Sequence, residues 1–158
     1  MNTDEAECIF HFIQDLMKLI VKNNYFTDLQ SSRNLRNKKD SKLSILILCT
    51  YKAQVDYIQS KLEVSKIHGK KFTVDCATID SYQGGEADFV LLSLVRTDST
   101  GFITDWRRVN VACSRAKFLL CIVGKVDLLR QTSAGVWKEV IEFSDLPIYD
   151  IQPGNQDL

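Results

Sequence analysis

Apolar positions near the start of the chain recur at helical spacing: Ala6, Ile9, Phe10, Ile13, Leu16, Met17, Ile20 and Val21 fall on one stripe of "DEAECIFHFIQDLMKLIVK". The pattern predicts an amphipathic helix over residues 4–22, with Thr3 as its N-cap and Asp4 and Glu5 favourable in the first turn. Polar residues follow. Among them "SSRNLRNKKDSK" carries five basic residues against one acid and reads as part of a basic, flexible insertion over 24–43, either a solvated loop or a phosphate contact. From residue 44 the pattern changes. "SILILC", "FTVDCATI", "DFVLLSLV" and "FLLCIVG" are continuous apolar runs, and "KAQVDYIQSKLEV", "DWRRVNVACSRAK", "KVDLLRQT" and "AGVWKEVIEF" are amphipathic segments that read as helices. Apolar runs without polar alternation belong to strands covered on both faces. The predicted fold class is therefore α/β, a three-layer sandwich around a mostly parallel sheet. The closing "YDIQPGNQDL" has a Pro-Gly pair and little to bury, and residues 151–158 read as a disordered tail.

Composition narrows this picture further. With 158 residues, 45% of them hydrophobic, the chain suits one domain, placed over 1–150. Twenty basic residues balance twenty acidic ones, which excludes a wholesale polyanion binder and leaves room for a local basic surface. The five cysteines, Cys8, Cys49, Cys76, Cys113 and Cys121, form no close pair, and most sit in apolar runs, so they read as reduced core residues. Two histidines and no Cys-x-x-Cys spacing argue against a metal site. No signal-like or membrane-spanning run is visible, which points to an intracellular, cytoplasmic or nuclear setting without a membrane partner.

Ligands of open α/β sheets bind at the carboxyl ends of strands, so the segments leaving the strands are the candidates. "DSYQGGEAD" places Gly84 and Gly85, which permit close backbone approach, beside the carboxylate of Glu86, which could accept a hydrogen bond from a ribose hydroxyl. "DWRRVNVACSRAK", read as a helix, places Arg108 and Arg115 seven residues apart and so on one face. Arginine suits multidentate phosphate recognition and can stabilise charge growing on a transferred phosphoryl group. Taken alone, the first segment more often means an ordinary turn with a solvated glutamate and the second a salt-bridged surface helix.

Taken together, "TIDSYQGGEADFVLLSLVR" and "DWRRVNVACSRAKFLLCIVG" resemble motifs V and VI of superfamily 1 helicases, in order and spacing. The closest likeness is to the group that includes the nonsense-mediated-decay helicase, senataxin, the splicing factor Aquarius and the nidovirus helicases. "ILILCTYKAQVDYI" is similar to the segment that precedes those motifs in the group. The resemblance implies the second RecA-like motor domain, of P-loop NTPase type, which closes over ATP and Mg2+ held mainly by a first motor domain of the same polypeptide. It implies nucleotide contacts from Gln83, Gly84 and Glu86, an arginine finger at Arg115, and Arg108 in the network coupling the cleft to the strand. It implies contacts with single-stranded RNA or DNA around Thr78, Ser81, Tyr51 and Gln54, and the isolated domain is expected to be monomeric. The chain departs from the group where Thr-Pro-Tyr reads "CTY" and Thr-Arg-Ala reads "SRA". It also lacks a phosphate loop, since "IHGKKF" has neither the length nor the first glycine of one, and it lacks a carboxylate strand end for magnesium. The isolated chain is therefore expected to be inactive, as a fragment of a longer ATP-dependent helicase or translocase. The alternative is a degenerate helicase domain serving as a protein- or nucleic-acid-binding module. A nuclease would need ordered carboxylate clusters that "EAD" and "DWRR" do not supply.

Overall fold

The computed structural model describes residues 1–23, 25, 42–65, 71–95, 105–131 and 135–142. Helix α1 (Thr3–Lys22) leads to strand β1 (Leu43–Cys49), helix α2 (Lys52–Ser65), strand β2 (Phe72–Thr78) and strand β3 (Ala87–Ser93). Helix α3 (Trp106–Cys113), strand β4 (Ala116–Val123) and the short helices α4 (Val126–Gln131) and α5 (Gly135–Glu142) complete the order. The basic segment expected over 24–43 lies almost wholly outside the described residues, as does the tail over 151–158. Leu43, assigned from sequence to that segment, instead opens β1 as a buried residue.

The four strands form one all-parallel sheet in the order β2-β1-β3-β4. Ile45, Ile47, Cys49, Phe89 and Leu91 pack with residues of α1 and α2, while Leu46, Leu48, Val90 and Leu92 pack with Val109 and Ala112 of α3, Leu129 of α4 and Trp137 of α5. Both faces are thus covered, which is why every residue of β3 is buried and its run is continuous. The two helical crossovers, β1-α2-β2 and β3-α3-β4, carry the chain to opposite edges of the sheet.

The thiols belong to this core. All five cysteines are unpaired, Cys49 fully buried and the others half-buried, and burial pushes the Cys121 thiol up to about 11. That thiol stays protonated at neutral pH, and the five side chains pack as small apolar groups.

One buried carboxylate ties the two central strands. Asp88, without exposed surface, accepts hydrogen bonds from the Ser44 amide at 2.6 Å and the Ser44 hydroxyl at 2.8 Å, and its own amide donates to Ser44 Oγ at 3.0 Å. Asp88→Ala would leave the Ser44 amide without this acceptor. The expected loss of stability is about 2 kcal/mol, read from the midpoint of urea unfolding, and a variant as stable as the wild type would deny the pair this role.

Helix α1 starts one residue earlier than its composition suggests. Asn2, not Thr3, is the N-cap, its side-chain oxygen accepting from the Glu5 amide at 3.2 Å. Asn2 is held there because its own amide donates to Gln54 Oε1 at 2.8 Å and its carbonyl accepts from Gln54 Nε2 at 2.9 Å.

Candidate functional site

The strand order reverses between β1 and β3, and the carboxyl ends of these two strands are where a ligand would be sought first. The chain fills that place with its own polar groups. Glu5, only 7% exposed, reaches from the first turn of α1 and accepts hydrogen bonds from the Ser93 hydroxyl and the Val95 amide, both at 2.8 Å, and from the Asn2 side-chain amide at 3.1 Å. Thr50 donates its hydroxyl to the Leu94 carbonyl at 3.0 Å. Burial raises the Glu5 pKa, and the hydrogen bonds from Ser93, Val95 and Asn2 only partly oppose it. Val95, a β-branched residue, is held at a φ of 68°, a left-handed conformation that such side chains rarely adopt. Gln54 belongs to the same cluster and is 0% exposed, so it has no surface with which to meet a strand. Its amide braces Asn2 instead. Tyr51 is half-buried beside it, and its carbonyl accepts from the Gln54 and Val55 amides at the start of α2.

The remaining candidates are divided between the two ends of the sheet. Thr78 closes β2 at the carboxyl end, where it and Ser81 form a tight hydroxyl turn: Thr78 Oγ1 lies 2.6 Å from Ser81 Oγ, and the Ser81 amide donates to Thr78 Oγ1 at 3.1 Å. No helix makes the connection from β2 to β3. Residues 79–86 run without regular structure from the carboxyl end of β2 to the amino end of β3, and Ile79 and Tyr82 pack into the α3 side of the core on the way. Eight residues can span up to about 28 Å, ample for a seven-residue strand of about 23 Å. Glu86 therefore emerges at the opposite end of the sheet from Thr78.

Helix α3 makes the same journey. At its first turn the Arg108 Nε donates to Asp80 Oδ1 at 3.1 Å, joining the helix to the turn after β2. Sequence periodicity placed Arg108 and Arg115 on one face of a single helix, but α3 ends at Cys113 with Ser114 as its C-cap, and Arg115 sits in the turn before β4. The reason is sheet pairing: the Ala87 amide donates to the Arg115 carbonyl at 2.9 Å, and Ala87 pairs with Ala116, so the chain leaves helical geometry to enter the sheet. With Arg108 in the first turn of α3 and Arg115 paired through its carbonyl to Ala87 at the amino end of β3, the two arginines lie toward opposite ends of the sheet. Arg108 stands with Thr78 and Ser81, and Arg115 stands with Glu86.

Glu86 and Arg115 occur at the amino ends of β3 and β4 rather than at the carboxyl ends. The Glu86 carboxylate is exposed, 3.6 Å from Lys117 Nζ. Arg115 is half-buried, and its Nε is a buried donor with no hydrogen-bond partner. An orphaned guanidinium donor is costly unless an acceptor comes from outside, and a polyphosphate is an acceptor of the right chemistry. Gln83, Gly84 and Gly85 are exposed in the segment that leads to Glu86, and a Cβ at Gly84 would run into the Tyr82 ring, so the glycine also makes room for that side chain. Asp80, Lys117 and Glu5 were missed in the sequence. Only Glu5 had a local signal: Asn2-x-x-Glu5 has capping-box spacing.

A four-stranded parallel sheet covered by helices on both faces is an α/β fold of the RecA-like type. A family profile described as "AAA domain" matches residues 1–127. The chain is 30% identical over 143 residues to an uncharacterized ATP-dependent helicase of Methanocaldococcus jannaschii, covering 90% of this chain and 17% of that protein. It is 40% identical over 82 residues to a putative regulator of nonsense transcripts 1 of Takifugu rubripes, covering 49% of this chain and 8% of the relative. It is 27% identical over 146 residues to the helicase sen1 of Schizosaccharomyces pombe, covering 89% and 8% respectively. The chain belongs to the AAA domain family, in the superfamily 1 helicase group that its motifs resemble. It spans less than a fifth of the length of these relatives. No described helix is long and apolar enough to cross a membrane.

Proposed function

We propose that residues 1–150 form the second motor domain of an ATP-dependent RNA or DNA helicase or translocase, acting inside the cell and completing an ATP site whose phosphate loop and Mg2+ ligands lie on a first motor domain of the same polypeptide. The observation that carries this reading is the orphaned Nε of Arg115, in the turn whose carbonyl accepts from Ala87, the residue after the exposed Glu86. ATP bound at the first domain would supply the phosphoryl group and its developing charge. Arg115 would present its guanidinium to the γ-phosphate, Glu86 would accept from the ribose hydroxyls, and Gln83 and Gly84 would bring side-chain amide and backbone close to the nucleotide.

The same two segments reach the other end of the sheet, where Thr78 and Ser81 would contact the sugar-phosphate backbone and Arg108 would fix their turn through Asp80. A displacement of Arg115 or Glu86 would thus be carried along α3 and residues 79–86 to the strand contacts, which gives ATP-driven closure a path to the grip on nucleic acid. Gln54 would act from within the core, holding Asn2 and the start of α2, rather than by touching the strand.

Strand-stimulated ATP turnover tests the reading. The intact polypeptide is expected to hydrolyse ATP faster with single-stranded RNA or DNA, and the 158-residue chain alone to show no turnover above background. An intact polypeptide without turnover would favour the degenerate binding module instead.

A further inference from the structure

The chain has two tryptophans in opposite situations: Trp137 is fully buried under the sheet, whereas Trp106 is 60% exposed at the start of α3. A tryptophan left in water at the first position of a helix forfeits the largest apolar burial any side chain offers. Its surroundings are specific. The Arg107 guanidinium lies 5.8 Å from the centre of the Trp106 ring, and no carboxylate among the described residues pairs with it. Arg108, one residue on, is bound to Asp80, between Ile79 and Ser81 of the hydroxyl turn. Asp105 is engaged as the N-cap of α3, accepting from the Arg107 amide at 3.0 Å. The two nearby carboxylates are thus committed to Arg108 and to the helix start, and the aromatic face and the Arg107 charge remain on the surface at the strand-contacting end of the domain.

We infer that Trp106 and Arg107 form a stacking site for one nucleotide of a single strand, the base lying on the indole and the adjoining phosphate on the guanidinium. The inference rests on the proposed strand contacts at Thr78 and Ser81 and extends them from the sugar-phosphate backbone to a base. An indole offers its π-face to any base, so the site tolerates sequence, and an arginine beside it adds charge for the backbone. It holds a strand in place without reading it, which suits a domain that must pass along many sequences.

The buried Trp137 makes the test direct, because an aqueous quencher and a stacking base both reach Trp106 first. The 158-residue chain is titrated against fluorescein-labelled fifteen-nucleotide oligo(U) and oligo(dT), with the anisotropy of the label reporting affinity for the wild type and for Trp106→Ala, Trp106→Phe and Arg107→Ala, and with tryptophan emission followed in the wild type. Saturable quenching is expected, with binding weakened about tenfold to a hundredfold in Trp106→Ala and far less in Trp106→Phe. Arg107→Ala is expected to lower the slope of log affinity against log salt by about 0.7. Because Trp106 is exposed, the variants should keep the wild-type Tm. Salt-dependent binding that is equally tight in Trp106→Ala would overturn the stacking site and leave the backbone contacts standing. No binding of either oligonucleotide would overturn both. The comparison of oligo(U) with oligo(dT) decides whether ribose or deoxyribose strands are preferred.

Discussion

Arg115→Ala in the intact polypeptide is expected to lower strand-stimulated kcat for ATP by about a thousandfold, with little change in KM. The expectation follows from what the arginine does not touch. Its Nε has no partner within the chain, and its backbone carbonyl, which the substitution keeps, is the group that accepts from Ala87. The variant therefore loses a side chain committed to no internal hydrogen bond at Nε, and the isolated domain should unfold within about 0.5 kcal/mol of the wild type. A group that meets charge growing in the transition state affects kcat more than ground-state affinity. Arg115→Lys should recover only part of the activity, since an ammonium lacks the fixed fork of donors and the Nε–H itself. Turnover within tenfold of the wild type in a normally folded Arg115→Ala protein would remove Arg115 from the reaction.

The sequence was most informative where side chains serve the core. Continuous runs such as "DFVLLSLV" announce strands covered on both faces because burial leaves no room for polar alternation, and Phe89 to Leu92 are all buried. The motif residues were legible as types, yet their arrangement was not. Helical periodicity runs through "RRVNVACSRAK" unbroken, and nothing local reveals that pairing of Ala116 with Ala87 ends the helix at Cys113 and sends Arg115 to the far end of the sheet. Likewise the turn after β2 reads as a loop at the carboxyl ends, whereas residues 79–86 cross the sheet and deliver Glu86 to the amino ends. These are consequences of parallel topology, in which a strand must re-enter from the end opposite to where its predecessor left. The usual ligand position is closed for a related reason: the carboxyl ends of β1 and β3 are capped by Glu5, which in a first turn would ordinarily be solvated.

That carboxylate carries the second large expectation. Glu5→Ala should cost about 3 kcal/mol, a fall in Tm of about 10 °C, because the buried Val95 amide loses its acceptor while Val95 remains in a left-handed conformation that costs about 1–3 kcal/mol. Adding Val95→Gly should recover part of the loss by making that backbone conformation acceptable. The pH dependence has a definite sign. Burial holds the Glu5 carboxyl above its ordinary 4.5, so the folded chain binds this proton more tightly than the unfolded chain. The stability that comes from this group is then fully present below pH 4.5 and is lost as pH rises through the folded value. Glu5→Gln removes the titration and preserves the shape, and other ionisable groups cancel when the two proteins are compared. The stability of the wild type relative to Glu5→Gln should therefore decline as pH is raised from 4 toward neutrality. A difference that is flat with pH, or that grows in favour of the wild type, would mean that the hydrogen bonds from Ser93, Val95 and Asn2 outweigh burial and that the cluster favours a charged carboxylate at its centre.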